Sequence, residues 1–173
     1  AMAGLMADRG LLVACDVRPR RTRLLRDAVH DSGALSIRIV QVPRSGGLPF
    51  GEVFERVLVD APCSGTGSWR RNPDARWSTQ SAKLDELTRL QDSIVTRAAN
   101  FVKPGGHLIY ATCSLLRREN DDRVAAFLNA RKDFEPVDAR TIIRDLPEAV
   151  LRLSPAKHGT DGFFAAVLRR VTI

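Results

Sequence analysis

Two cysteines, Cys63 and Cys113, each follow a short apolar run of the sequence, and each is followed by a serine. The first lies in DAPCSGTG, directly after RVLV, and the second lies in YATCS, at the end of a run that begins GHLI. If the two runs are neighbouring parallel strands, their axes lie about 4.8 Å apart and their carboxyl ends share one edge of the sheet. We therefore predict that both thiols face one cleft, with Asp60 at its edge.

Two thiols beside a carboxylate suit three classes of reaction. One is acyl transfer by a Cys–His pair, with His107 or His158 as the base. Another is thiol redox chemistry, in which the two cysteines cycle. The third is addition of a thiolate to carbon 6 of a pyrimidine, which makes carbon 5 nucleophilic toward a methyl group while a carboxylate holds the ring edge. The residue types alone leave all three open.

The elements that must position these residues alternate along the chain. Predicted strands cover residues 10–17, 36–42, 55–60, 106–114 and 162–170, and predicted helices cover 18–33, 80–102 and 117–131. The segment KPGG at 103–106 is predicted to be a turn that ends the second of these helices. Strands separated by helices indicate an α/β fold with a mostly parallel sheet, in which chemistry collects at the carboxyl ends of the strands.

Composition limits the class of protein. The chain has 173 residues, 44% of them hydrophobic, which suits one globular domain. Its three cysteines form no CxxC pair, so we expect no disulfide scaffold, no structural zinc site and a reducing, cytoplasmic compartment. Cys15, inside LLVACDV, is predicted to be a buried core residue. No apolar run is long enough for a membrane span, and the chain opens with no signal-peptide pattern.

The balance of charge points to a polyanionic partner. The chain carries 27 Lys and Arg against 20 Asp and Glu, a net charge of +7, and most of the basic residues are arginine. Arginine matches phosphate geometry with two parallel hydrogen bonds, so nucleic acid is a candidate partner. Arg70, Arg71 and Arg76 stand between two tryptophans directly after the Cys63 loop, a pattern that suits phosphate contact and base stacking.

Three segments together resemble the Fmu/Sun family of RNA cytosine-5 methyltransferases. They are LVDAPCSGTGSWRRNPDARW with Gln91, KPGGHLIYATCSLLRREN, and HGTDGFFAAVLRR. The resemblance implies a Rossmann-like class I methyltransferase domain that uses S-adenosyl-L-methionine and acts on RNA, with ribosomal RNA as the expected substrate. It implies that Cys113 is the nucleophile, that Cys63 assists release of the methylated base, and that Asp60 contacts the cytosine. Spacing alone does not rank the two thiols.

The resemblance also implies the cofactor contacts. Asp16, at the end of the first predicted strand, is expected to bind the ribose hydroxyls, although an aspartate that complements a helix dipole would look the same. Asp60 and Pro62 are the other expected cofactor contacts.

The sequence departs from the family pattern in two places. The central first strand and the glycine-rich cofactor loop are expected before residue 1, so we interpret residues 1–173 as a single, N-terminally truncated catalytic domain. The strand over 36–42 is followed by VPRSGG, without the acidic residue expected near the adenine. We therefore expect this chain alone to bind cofactor weakly or not at all. The alternative function is a non-catalytic RNA-binding module on a methyltransferase-like fold.

Overall fold

Strands and helices alternate through the chain, as predicted. The structure, a computed structural model, describes residues 1–43, 50–71, 73–74 and 81–171. The strands are β1 (Leu12–Asp16), β2 (Ile37–Gln41), β3 (Phe54–Asp60), β4 (Val102–Thr112), β5 (Phe134–Val137), β6 (Leu151–Leu153) and β7 (Phe163–Arg170). The α-helices are α1 (Met2–Leu5), α2 (Pro19–Ser32), α3 (Ser81–Ala99), α4 (Asp121–Ala130) and α5 (Pro155–His158). The chain divides into two compact units, Ala1–Pro49 and Phe50–Ile173.

The first unit is a β–α–β unit. Strands β1 and β2 pair in parallel, from Leu12 opposite Ile37 to Asp16 opposite Gln41, and α2 connects them. Pro19 opens α2, where its fixed φ suits the first helical turn and its missing N–H is not needed. Gly33 ends the helix in the left-handed conformation, with φ 65°. The turn between β1 and α2 thereby places Asp16 at the carboxyl end of its strand.

The predicted burial of Cys15 is wrong. Its side chain is exposed, although the strand that carries it was predicted correctly. Helix α2 packs against β1 and β2, and a parallel crossover of this kind covers a sheet from one face. The side chain of Cys15 is not covered by α2, so it is exposed even though the residues around it in the sequence are apolar.

The second unit contains a five-stranded sheet in the order β3–β4–β7–β5, with β6 pairing the other end of β7. Strands β3 and β4 are parallel, and β7 runs antiparallel to β4, β5 and β6. Asp60, the last residue of β3, lies opposite Ala111. The prediction that the two cysteine-bearing strand ends are neighbours is therefore confirmed.

A continuous core supports these strand ends. Helix α3 makes the crossover from β3 to β4 and buries Val95 and Ala99 completely or nearly so. The rings of Phe127 in α4 and Phe134 in β5 meet edge-on, with centroids 5.2 Å apart. Tightly packed apolar side chains hold the sheet and helices in one arrangement, so the loops at the carboxyl ends start from fixed positions.

Two predicted boundaries are wrong. Residues 103–106 belong to β4 rather than to a turn. The segment is an irregularity within the strand, where Gly105 adopts φ 76° and the register between β3 and β4 shifts. The helix predicted from residue 117 begins at Asp121, after a 3-10 turn over Arg117–Glu119. That turn directs the side chain of Glu119 inward, where it is fully buried.

The described ranges contain neither a membrane-spanning helix nor a metal-binding group of side chains. There, no helix combines the length and apolar character needed to cross a bilayer. Likewise, no group of three His, Cys, Asp or Glu side chains within these ranges is arranged to hold a metal ion.

Candidate active site

The structure brings the two predicted cysteines into direct contact. The Sγ atoms of Cys63 and Cys113 lie 3.2 Å apart, within hydrogen-bond distance for sulfur, and both residues are free thiols that are half-buried. Cys63 lies in the loop after β3 and Cys113 directly follows β4, so the parallel pairing of these strands is what joins them. The site is therefore a two-thiol centre at the carboxyl edge of the sheet.

The contact makes the two thiols unequal acids. The hydrogen bond from the Cys63 thiol lowers the pKa of Cys113, although burial and the charges of Asp60 and Glu119 oppose this. The same hydrogen bond raises the pKa of Cys63, because ionising Cys63 would remove the donated proton, and burial raises it further. The contact therefore favours ionisation of Cys113 over ionisation of Cys63, an order that spacing in the sequence left open.

Backbone contacts fix the loops that carry the thiols. The Gly67 N–H donates to the carbonyl of Cys113 at 2.9 Å, and the Gly162 N–H donates to the carbonyl of Gly67 at 2.9 Å. A Cβ atom on Gly67 would lie 2.3 Å from the Gly162 oxygen and 2.8 Å from the Cys113 oxygen. Only glycine permits this approach, so three loops meet there without an intervening side chain.

The carboxylate of Glu119 lies between the same loops. Its Oε1 accepts from the backbone N–H of Ser64 at 2.8 Å and from Nε2 of Gln91 at 3.0 Å. Its Oε2 accepts from the Ser64 and Ser114 hydroxyls, each at 2.5 Å. Each serine directly follows one of the two cysteines, so one buried carboxylate holds both cysteine loops.

Strand β4 anchors the turn that carries Glu119. The Tyr110 hydroxyl donates to the Glu119 carbonyl at 2.7 Å, and the Thr112 hydroxyl donates to Oδ1 of Asn120 at 2.6 Å. Nδ2 of Asn120 donates in turn to the carbonyl of Ser114 at 2.9 Å. All five residues in these bonds are buried, so the turn cannot shift without breaking the bonds.

Sequence reasoning missed Glu119, Gly67 and Gly162, and it gave Gln91 no role. RRENDD looks like the solvated start of an amphipathic helix, and nothing in its charge pattern marks one acidic residue as buried. The available signal was the repeated Cys–Ser pair. Two hydroxyls placed beside two half-buried thiols need an acceptor, and a carboxylate is the side chain that only accepts.

The other predicted contacts are divided between the two units. Asp60 ends β3 with an exposed side chain, and its charge acts on Cys113. The carbonyl of Pro62 accepts from Nε2 of Gln91 at 2.9 Å. Asp16 belongs to the first unit, where its Oδ1 accepts from the backbone N–H of Arg18 at 2.7 Å.

The predicted RNA-contacting arginines share one acidic partner. Arg71 forms a salt bridge with Asp161, and Arg70 lies 3.9 Å from the same carboxylate, while both arginine side chains stay mostly exposed. Arg76 lies outside the described residues. Two guanidinium groups around the one carboxylate of Asp161 leave a net positive charge beside the close contact of Gly67 with Gly162.

The histidines do not take part in the thiol pair. Nδ1 of His158 accepts from the backbone N–H of Ser154 at 3.1 Å, and His107 lies within β4 opposite Arg56. In the part of the chain that the structure describes, no hydrogen bond joins a histidine to either sulfur. The Cys–His reaction class therefore has no base in place.

The chain is similar in sequence to ribosomal RNA methyltransferases. A family model described as 16S rRNA methyltransferase RsmB/F matches residues 1–169. The chain is 36% identical to the probable ribosomal RNA small subunit methyltransferase B of Bacillus subtilis, over 98% of this chain and 40% of that protein. It is 44% identical to a putative methyltransferase of Mycobacterium tuberculosis, over 97% of this chain and 38% of that protein. The chain thus spans about two-fifths of the length of these relatives.

Solved structures share the fold. The crystal structure of PH0851 superposes with a TM-score of 0.89 at 34% identity, covering 98% of this chain and 39% of that one. NSun6 from Pyrococcus horikoshii, solved with SFG, gives 0.80 at 27% identity, covering 99% and 44%. A SAM-dependent methyltransferase from Aquifex aeolicus gives 0.59 at 10% identity, covering 98% and 74%, a likeness of fold alone. The predicted Rossmann-like methyltransferase fold is confirmed.

Removal of the Cys63 proton donor should make Cys113 a weaker acid. In Cys63→Ala, we expect iodoacetamide to alkylate Cys113 several-fold more slowly at pH 7, because the pKa of Cys113 rises and the thiolate is the reacting species. Cys63→Ser retains an O–H donor and should keep part of the effect. Peptide mass spectrometry after timed alkylation measures both rates. Equal rates in the unmodified chain and Cys63→Ala would contradict the hydrogen-bond account.

A side chain at Gly67, where the three loops meet, should destabilise the second unit. We expect Gly67→Ala to lower the free energy of unfolding by about 1–3 kcal/mol, because its Cβ overlaps two carbonyl oxygens. Gly51→Ala is the matched control, since a Cβ there meets only a methyl group at 4.0 Å and should change stability by less than about 1 kcal/mol. Urea denaturation measures both. An equal, small effect at the two positions would show that the junction tolerates a side chain.

Proposed function

Since this chain belongs to the 16S rRNA methyltransferase RsmB/F family, we propose that it forms the catalytic part of an RNA cytosine-5 methyltransferase. The proposed substrate is small-subunit ribosomal RNA, the RNA named in the B. subtilis relative. The observation that carries the proposal is the thiol pair, in which the pKa of Cys113 is lowered by a hydrogen bond from Cys63. Addition to carbon 6 of cytosine needs such a thiolate.

S-adenosyl-L-methionine is the proposed cofactor, and it supplies the methyl group when bound. Asp16 is the proposed ribose contact, because among the described residues its Oδ2 has only an ion pair with Arg21 at 3.7 Å and can accept from a hydroxyl. Asp60 and Pro62 are the proposed contacts at the reacting end. The side chain of Asp60 is exposed, which leaves its carboxylate accessible to a ligand.

Cys113 is the proposed nucleophile. Its thiolate forms the S–C6 bond, the C5–C6 double bond opens, and the electron pair moves toward carbon 5 and the ring's N3 edge. Asp60 ends the strand beside β4, so its carboxyl group is the proposed contact to this edge: one oxygen accepts from the amino N–H, and a proton shared between the other oxygen and N3 offsets the charge that develops there. Carbon 5 then carries the electron pair that accepts the methyl group.

Cys63 is proposed to act after Cys113 has reacted. While Cys113 is a thiolate, its hydrogen bond is the largest cause of the raised pKa of Cys63, and Cys63 stays protonated. Once the Cys113 sulfur is bonded to carbon 6, that cause is gone and only burial still raises the pKa of Cys63, so loss of its proton to water becomes easier. Its thiolate then takes the proton from carbon 5, the double bond re-forms, and the S–C6 bond breaks. The hydrogen bond thus sets the order of the two steps.

Exposed positive charge supports an RNA substrate. The net charge of +7 favours association with phosphates, and Arg70 and Arg71 carry exposed guanidinium groups that suit phosphate contact. Arg76 is proposed as a third contact on sequence grounds. A cytosine must be unpaired or flipped from its stack to reach the Cys113 sulfur, so the target is proposed to lie in an accessible or deformable part of the RNA.

Covalent trapping tests the function. The natural full-length protein is incubated with labelled S-adenosyl-L-methionine and small-subunit rRNA transcribed with 5-fluorocytidine, whose carbon 5 has no proton to release. We expect a protein–RNA adduct that survives denaturing electrophoresis. Cys113→Ala should abolish the adduct, because it removes the bond-forming sulfur, whereas Cys63→Ala should retain it.

The opposite pattern, with the adduct lost in Cys63→Ala and kept in Cys113→Ala, would reverse the assigned roles. Binding of the RNA without any adduct would favour an RNA-binding module instead. Arg140→Ala is the matched charge control, because Arg140 pairs with Asp138 outside the thiol centre and its loss should leave trapping unchanged.

A further inference from the structure

Each of the two cysteines is followed by a serine, and both serines bind the same carboxylate. Ser64 and Ser114 donate their hydroxyls to Oε2 of Glu119, and the Ser64 backbone N–H donates to Oε1. Gln91, from α3, supplies the fourth donor. A carboxylate accepts about four hydrogen bonds, so Glu119 is saturated by donors from three separate segments of the second unit.

We propose that Glu119 is a positioning residue whose four hydrogen bonds hold the loops of Cys63 and Cys113 so that the two sulfurs remain in contact. Neither Oε atom is hydrogen-bonded to a sulfur, so Glu119 acts through the loops and not on the reacting atoms. The inference goes beyond the proposed function. It depends on that function only in treating the thiol pair as the reacting groups.

The hydrogen-bond directions require an acceptor at this position. The Ser114 oxygen already accepts from the backbone N–H of Leu116 at 3.0 Å. The Ser114 hydroxyl donates its one proton to Oε2 of Glu119, so Thr66 is the donor in the 3.1 Å contact between the Thr66 and Ser114 hydroxyls. An amide N–H₂ there would face a hydroxyl whose acceptor sites are filled, so glutamine cannot replace glutamate without loosening one loop.

The charge of Glu119 and its positioning role have opposite effects on the pKa of Cys113, which makes the proposal testable. The titratable groups that act on the pKa of Cys113 are Cys63, which contacts its sulfur, and the charges of Asp60 from β3 and Glu119 from the 3-10 turn. The negative charge of Glu119 by itself raises the pKa of Cys113, so neutralising it without movement would lower that pKa. If Glu119 instead holds the thiols together, its loss weakens the Cys63 hydrogen bond and the pKa of Cys113 rises.

The test is the pH profile of Cys113 alkylation in Glu119→Gln. We expect the apparent pKa to rise and the iodoacetamide rate at pH 7 to fall at least threefold, measured by peptide mass spectrometry with folding checked by circular dichroism. Glu135→Gln is the matched control, because Glu135 is an exposed glutamate paired with Arg169 and should leave the profile unchanged. A lowered or unchanged pKa of Cys113 in folded Glu119→Gln would overturn the proposal.

A milder variant covers the case in which Glu119→Gln fails to fold. Ser114→Ala removes one donor and keeps the Glu119 charge, so the positioning account predicts a rise in the pKa of Cys113, again with slower alkylation at pH 7. An unchanged profile in folded Ser114→Ala would then overturn it. Alkylation needs neither cofactor nor RNA, so the outcome is separate from that of the trapping experiment. A raised pKa without trapping would reject the methyltransferase function and keep the positioning role.

Discussion

A carboxylate removed from water must be surrounded by hydrogen-bond donors, and this requirement shapes the whole two-thiol centre. Glu119 is fully buried, and its donors come from the loop after β3, the loop after β4 and helix α3. If one donor moves away, a buried acceptor loses its partner, which is more costly than the loss of an exposed bond. The carboxylate therefore adds side-chain links between loops that backbone hydrogen bonds already join, and it ties helix α3 to them.

The sheet and the carboxylate make separate contributions to the site. Parallel pairing of β3 with β4 brings the two strand ends together, and the close contact of Gly67 with Gly162 brings the loops to the same place. We propose that, within these constraints, the serines bonded to Glu119 hold the two sulfurs at their hydrogen-bond distance. At hydrogen-bond distance, the contact lowers the pKa of Cys113 and raises the pKa of Cys63, although the two thiols are chemically identical. The difference in acidity arises from position and requires no histidine or metal ligand.

Much of this was predictable because it depends on local patterns. The periodicity of apolar residues located the strands, and the strand ends located Asp60, Cys63 and Cys113. The buried glutamate was not predictable, since an acidic residue in a charged segment has the same local pattern whether it faces water or the core. Likewise the exposure of Cys15 depends on which face of the sheet is covered, a tertiary property that an apolar run does not encode.

The central claim is that the two thiols ionise as an unequal, coupled pair, and a titration of the unmodified chain tests it most directly. Cysteine labelled with ¹³C at Cβ reports each ionisation separately by NMR. The account predicts that Cys113 titrates below the ordinary thiol pKa of about 8.5 while Cys63 remains protonated well above it. If Cys63 and Cys113 instead titrate together near the ordinary value, the sulfurs are not coupled and the account is wrong.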